Sequence, residues 1–571
     1  MSRPVLQGIF AACTALLLTA CAATREAAPL QRYHRGMVSA ADPRAAEAGA
    51  EMLRAGGSAT DAALAVLLAL TVVEPQSSGI GGGGFLVMDD GRGGVTTIDG
   101  RETAPAAAHP RWFEMNGQFL AVPQAVPGGL SVGVPGNLSL MAQAHRAHGR
   151  LAWRKVFDPA IRLARDGFVV SPRLTQFLGR AKGTAALTEQ GRALYFTADG
   201  QPLPAGTMVR NPALAQFMEQ LAAGGPNAFY HGANARAVAG AVSTAARNPA
   251  PMNVADLATY QAKPRAPLCA NYRRWKLCGM GPPSSGATTV LGALGMLERF
   301  DLAGMGKDSP VAWHLIAEAQ RLAYADRERY LADPDFADVP SAGLIAPDYL
   351  AARAQLIAPD RTMPVAMPGH PAGAPLAAAD TLTPDVPSTS HFSVIDRQGQ
   401  AVSLTSTIEG PFGSGLMVNG YYLNNELTDF SLVPERDGKP VANRVEPGKR
   451  PRSSMAPTLV YAPDGKLRMA IGAAGGATIP VQVMRAIIGV IDWNLTAEQA
   501  LDLPVLFAPG GNEVFVEQGT WLEQMAPQLR VLGHASVMSR TLPIKSNAVE
   551  VRDGQLHGAA DPRSEGQAIS E

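Results

Sequence analysis

An excess of either charge is missing from this chain: Lys plus Arg total 49, Asp plus Glu total 49, and the formal net charge is zero. No run of basic residues stands out, so nothing points to nucleic acid or another polyanion as a partner. Aromatic residues are scarce at 6%. Cysteines number only 4, with no CxxC pair and no metal-ligand spacing, so no metal centre is indicated. No apolar run meets the length of about 20 residues needed to span a bilayer; "VLQGIFAACTALLLTA" is short and broken by Gln7 and Gly8. What is abundant is Gly (59) and Pro (45), within a composition that is 46% hydrophobic and 17% charged. That mix describes a folded protein with a large core and many turns, not a disordered chain. Length alone, 571 residues, allows about three or four domains.

The first residues, "MSRPVLQGIFAACTALLLTACAATREAA", place Arg3 before an apolar stretch and small residues. This pattern predicts a secretory signal over residues 1–20. Its end, "LTAC", resembles the bacterial lipoprotein box, which makes Cys21 the expected lipidated residue and the periplasm or cell envelope the expected location. Acyl chains would then be the only membrane attachment. With Cys13 inside the signal, Cys269 and Cys278 remain, nine residues apart in "PLCANYRRWKLCGM". Export permits a disulfide, and this separation can close a hairpin; two reduced, half-buried thiols are the alternative.

Along the chain, Asp42 and Pro43 open one predicted helix, Gly56 and Gly57 end it, and Ser58 or Thr60 starts another. The second is apolar almost all round from Ala62 to Val73 and is expected to be buried. Gly79, Gly81 and Gly84 match GxGxxG, but they follow a helix and open a strand, the reverse of a dinucleotide site. Close passage of backbones accounts for them better. Residues from about 150 to 265 read as helical, and Ser309 and Pro310 begin the clearest helix, on which His314 is expected to pack rather than bind metal. Residues 359–388 are Pro/Ala-rich and aperiodic, a linker that ends at Thr389. Strands dominate beyond it. Strand and helix in both halves imply one layered α/β body.

"HFSVID-RQG-QAVSLTST" reads as two alternating strands around a three-residue loop, with Gly399 at the left-handed position. If Asp396 faces Gln400, then Thr389 faces Thr407, two hydroxyls within reach; a slip of one residue would separate them. A Thr at such a junction can attack its own preceding carbonyl and become a new N-terminus. Its freed α-amine, with a pKa of about 7.7–8.0, is suited to act as base for the neighbouring hydroxyl.

The chain also carries "EPQSSGIGGGGF", "IDGRETAP", "LARDGF", "PPSSG", "AYADRERYLADPDF", "YYLNNELTDFS", "KRPRSSMAPT", "GAAGGATIP" and "GAADPRS". Together with the Thr389 hairpin, these make it resemble the γ-glutamyltransferases (γ-glutamyltranspeptidases) of the N-terminal-nucleophile hydrolase superfamily, over nearly all of its length after the signal. The resemblance implies a four-layer αββα sandwich and a precursor cut between Ser388 and Thr389. The products would be a large subunit, 21–388, and a small subunit, 389–571, held together as a heterodimer. It implies that Thr389 is the nucleophile, that Thr407 bonds it, and that Gly475 and Gly476 form the oxyanion hole. Arg101, with Ser453 and Ser454, would hold the donor's α-carboxylate, as suits a guanidinium fork. Asp429, Glu426 and Glu409 would hold its α-amine; relatives differ at the last two, with Asn or Gln in some, so Glu409 departs from part of the family. The implied donor is glutathione or another γ-glutamyl compound, the acceptor an amino acid, peptide or water, and no metal or organic cofactor is required. "LVPERDGKPVANRVEPG" lacks the Tyr that some relatives fold over the site, so a more open site is expected. The competing readings are a glutaryl or cephalosporin acylase of the same fold and a non-enzymatic amino-acid-binding lipoprotein.

Overall fold

Alternation of side chains builds the centre of the molecule. A computed structural model describes residues 31–375 and 388–571. The predicted signal, Cys13, the lipidation candidate Cys21 and residues 376–387 of the linker lie outside the described residues. Strand Gly83–Asp89 points Leu86 and Met88 to one face and Phe85 and Val87 to the other, and the two pairs join different cores. Both faces are thus apolar, and each needs a covering layer.

One face of the seven-stranded sheet meets the helices Pro43–Arg54 and Ala59–Val73. Its opposite face meets a six-stranded sheet. The outer face of that second sheet is covered by Gly286–Leu297 and Ile479–Ile491, with Pro310–Tyr330 packed on the former. The order is helix, sheet, sheet, helix, as the αββα expectation required. Every strand pair in both sheets is antiparallel. Strands from before and after Ser388 are interleaved in the first sheet: Thr389–Ile395 lies between Met37–Ala40 and Ala401–Thr407, and the latter pairs with Gly83–Asp89. Both large cores draw residues from both halves.

Local chemistry explains the ends of these elements. Asp42 accepts from the Arg44 N–H to cap the first helix. Ser58 and Asp61 form a reciprocal capping box on the second, so Ser58 rather than Thr60 is the start, and all fifteen residues of that helix are buried. Ser309 caps the 21-residue helix Pro310–Tyr330. The region before the second sheet is helical, including Asp158–Asp166, Pro212–Gly224 and Gly232–Ser243. Between the sheets large apolar side chains such as Phe85, Met469 and Ile471 form one core, and a polar contact crosses it: Ser403 Oγ donates to the Ile471 carbonyl at 2.9 Å. Cys269 and Cys278 face each other on neighbouring strands with Cα atoms 4.2 Å apart, and their sulfurs are bonded.

Candidate active site

The Thr389 hairpin fixes the register of the site. Asp396 N–H donates to the Gln400 carbonyl at 3.0 Å, and Gly399 takes φ +83° at the loop's end. Thr389 is therefore paired with Thr407, as the alternation predicted. Three hydrogen bonds converge on the Thr407 hydroxyl. It accepts from Thr389 Oγ1 at 3.2 Å and from the Glu409 N–H at 2.8 Å, and it donates to the Ser388 carbonyl at 2.9 Å. The oxygen's one donor and two acceptor positions are all used. The carbonyl that would be attacked is already polarised, and the attacking hydroxyl is already oriented.

Glycines let the backbone come this close. A Cβ on Gly82 would lie 2.0 Å from the Thr407 carbonyl oxygen, and one on Gly81 would lie 2.0 Å from that of Tyr422. The GxGxxG match is a site of close backbone passage. Glu409, directly after the Thr407 strand, has φ +73°, a left-handed conformation that costs a non-glycine residue about 1–3 kcal/mol. Its carboxylate accepts from the Asn425 side chain.

Thr389, Thr407, Arg101, Glu409, Glu426, Asp429, Ser453, Ser454 and Gly476 line one narrow pocket. Gly475 adjoins it with φ +138°, and a Cβ there would meet the Pro543 carbonyl at 2.3 Å. Gly476 opens a short turn at φ +61° that leads into helix Ile479–Ile491. All ten carried-over residues thus sit at one place.

The pocket has two chemical ends. At the nucleophile end stand the hydroxyls and the glycine turn. At the other end, the Arg101 guanidinium bonds Glu426 and Asp429, and it also donates to the carbonyls of Arg452, at 2.8 Å, and Pro451, at 3.1 Å. Burial works against its charge, but Glu426, Asp429 and Glu102 outweigh that and raise its pKa above the ordinary guanidinium value. The expected open site is not found: Thr389 is 6% exposed and Arg101 1%. The guanidinium draws both acids across the pocket. The Tyr-free segment forms an exposed hairpin, Glu435–Arg436 with Lys439–Pro440.

Several contributing residues carried no individual signal in the sequence. Arg327 Nη2 donates to Ser454 Oγ at 2.6 Å, and the Ser285 hydroxyl donates to the Ser453 carbonyl at 2.7 Å. Asn425 holds Glu409. Glu102 is fully buried behind Arg101; burial, with the charge of Glu426 beside it, holds its carboxyl well above the ordinary carboxylate range. All four lie within or beside motifs quoted above, but only the fold shows what they touch. His314 lies elsewhere, with Nδ1 2.8 Å from His534 Nε2 and Nε2 2.8 Å from the Ala358 carbonyl. Glu318, close to both rings, already accepts from Arg321, Thr362 and the Met363 N–H.

The family model described as gamma-glutamyltranspeptidase matches residues 45–571. The chain belongs to the γ-glutamyltranspeptidase family. It is 35% identical to the glutathione hydrolase proenzyme of Bacillus subtilis (strain 168), over 94% of this chain and 91% of that protein. It is also 35% identical to the acylase ACY 1 proenzyme of Pseudomonas sp. (strain SE83), over 94% and 93%. The crystal structure of cephalosporin acylase from Bacillus halodurans superposes with a TM-score of 0.83 at 26% identity, covering 94% of this chain and 96% of that one. Membership of this γ-glutamyltranspeptidase family makes the chain an enzyme with the N-terminal-nucleophile fold and sets aside the non-enzymatic reading.

Proposed function

We propose that this γ-glutamyltranspeptidase-family chain cuts itself before Thr389 and then acts as a glutathione hydrolase and γ-glutamyltransferase. The observation that carries this reading is the hydrogen bond from Thr407 Oγ1 to the Ser388 carbonyl, with Thr389 Oγ1 bonded to the same hydroxyl.

In self-cleavage, Thr389 Oγ1 attacks the Ser388 carbonyl carbon. The C–N bond breaks, the nitrogen takes the hydroxyl's proton, and an ester joins Ser388 to Thr389. Water hydrolyses the ester, leaving a Ser388 carboxylate and a free Thr389 α-amine and hydroxyl. The subunits 21–388 and 389–571 remain joined because their strands share both sheets. In turnover, the α-amine removes the Thr389 hydroxyl proton as the oxygen attacks a γ-glutamyl amide, then passes that proton to the leaving amine. The N–H groups of Gly475 and Gly476 stabilise the oxyanion, at about 2.7–4 kcal/mol per donor. Water, or an acceptor amine, then takes the γ-glutamyl group from the ester.

The donor's zwitterionic head fits the far end of the pocket. Its α-carboxylate displaces the acids from Arg101 and meets Ser453 and Ser454, while the released Glu426 and Asp429, with Glu409, accept from the α-amine. Acylase relatives show that the fold also serves other acyl groups. A glutaryl group has no α-amine to donate to these carboxylates. The deciding experiment compares kcat/KM for γ-glutamyl and glutaryl p-nitroanilides. A γ-glutamyl preference above about tenfold, one charge-assisted contact, supports this reading; a glutaryl preference replaces it with an acylase. Export, which the Cys269–Cys278 bond supports, belongs to the same proposal together with lipidation at Cys21. Radiolabelled palmitate incorporation, lost in Cys21→Ala, tests it.

A further inference from the structure

Directly behind the scissile bond lies a buried charge pair that the mechanism above does not use. Glu74 ends helix Ala59–Val73 and is 2% exposed; Lys545 is 2% exposed and Ser390 fully buried. Ser390 Oγ donates to Glu74 Oε2 at 2.5 Å. Lys545 Nζ donates to the two Glu74 oxygens at 2.9 and 3.2 Å and reaches Ser390 Oγ at 3.4 Å. Arg173 Nε stands 4.0 Å from Glu74, and Asp42 lends a weaker negative charge nearby. Burial brings the Lys545 ammonium down to about 8, with Glu74 opposing the shift.

Its connections lead to both halves of the site. On one side, Ser390 follows the nucleophile, and the turn after Glu74 takes the other flanking groups. Ser388 Oγ donates to the Gln76 carbonyl, and the Ile408 N–H donates to the Ser77 carbonyl at 3.3 Å. On the other side, the Lys545 backbone pairs with Ala474, the residue before Gly475. The Lys545 N–H donates to Gln482 Oε1 at 3.1 Å; Gln482 Nε2 donates to the Ala474 carbonyl and to Thr478 Oγ1, both at 2.9 Å; Thr478 Oγ1 donates to the Gly475 carbonyl at 2.9 Å.

We infer that Glu74 and Lys545 are a positioning pair which, through Ser390, sets the distance between the Thr389 nucleophile and the Gly475–Gly476 turn. A buried ion pair adds little net stability over an apolar pair of similar volume. Stability therefore does not account for it, whereas registering the helix end, the nucleophile strand and the oxyanion strand does. A displacement of about 1 Å between nucleophile and acceptor can cost about 10²-fold in rate.

The inference rests on the proposed role of Thr389, and its test separates the two. Ser390→Ala cuts the link while leaving the charges paired; Glu74→Leu with Lys545→Met removes both charges together. For each, the rate of self-cleavage, the kcat and KM of the cleaved fraction on γ-glutamyl p-nitroanilide, and the melting temperature are measured. Ser390→Ala should lower kcat about tenfold with KM within about twofold and the melting temperature nearly unchanged, and Ser390→Thr should restore most of the loss. The double variant should fold, cleave itself more slowly and lose about 10²-fold in kcat; a folded but uncut product also supports the inference. A wild-type kcat in Ser390→Ala, or a double variant altered only in melting temperature, overturns it. Should the double variant not fold, the kcat of Ser390→Ala decides alone. If Thr389→Ala retained cleavage and turnover, the underlying reading would fail instead.

Discussion

Thr407 Oγ1 stands 2.9 Å from the Ser388 carbonyl oxygen and 3.2 Å from Thr389 Oγ1, so one hydroxyl orients both partners of the bond to be broken. Removing it should impair self-cleavage first. Thr407→Val should slow conversion to two subunits by about 10²-fold, the scale for losing one oxyanion-type donor, whereas Thr407→Ser should cleave at a rate near wild type. A time course on denaturing gels reads both variants.

Arg101 offers a planar fork where the donor's carboxylate is proposed to bind. Arg101→Lys keeps the charge and loses the two-point geometry. KM for a γ-glutamyl donor should rise by about 10- to 100-fold, as expected for one charged hydrogen bond, with a smaller change in kcat. Initial-rate kinetics on the cleaved enzyme check this.

Asp429 is proposed to read the α-amine. Asp429→Asn should raise KM for the γ-glutamyl anilide about tenfold or more and leave glutaryl anilide hydrolysis nearly unchanged, narrowing the preference between them. Equal losses on both substrates would assign Asp429 a structural role only.

His534 gives stability a pH dependence. Burial, with the neighbouring His314 and Arg321 charges, lowers its pKa from 6.5 to about 4, although Glu318 opposes the shift. The folded-state pKa is depressed, so the unfolded chain takes up the proton first as pH falls. The stabilisation is complete above about 6.5 and is lost between there and about 4. The melting temperature should therefore fall from pH 7 to pH 4.5, and His534→Asn should reduce the slope. His391, fully buried and lowered to about 3, contributes in the same direction.

The Cys269–Cys278 bond closes a loop with a sequence separation of 9. For so short a loop the chain-entropy estimate is about 2.5–3 kcal/mol. Cys269→Ser with Cys278→Ser should lower the melting temperature accordingly while leaving kcat in place, because Leu268–Tyr272 is the edge strand of its sheet, away from the Thr389 strand.

What the sequence revealed, and what it hid, follows from the range of the forces involved. The pairing of Thr389 with Thr407 followed in the sequence only if Asp396 faced Gln400 across the three-residue loop, and that is the register the hairpin takes. The buried helix was legible for the same local reasons, with its start narrowed to Ser58 or Thr60 and decided for Ser58 by the capping box. Arg101 and Asp429 look like surface charges in isolation; only the γ-glutamyltranspeptidase resemblance singled them out, and 328 positions separate them. Arg327, Asn425 and Glu102 act through partners that the fold alone supplies. Glu74 and Lys545, 471 positions apart, carry no local pattern at all. The open pocket was misjudged because the missing Tyr was visible in the sequence, while the attraction of Glu426 and Asp429 to Arg101 was not.

The central claim is that a single peptide bond breaks to free the Thr389 nitrogen. N-terminal sequencing of the smaller fragment of purified, active protein tests it most directly. The account predicts a fragment that begins Thr-Ser-His-Phe; a fragment that begins at Ser390, or full activity in an uncut chain, would contradict it.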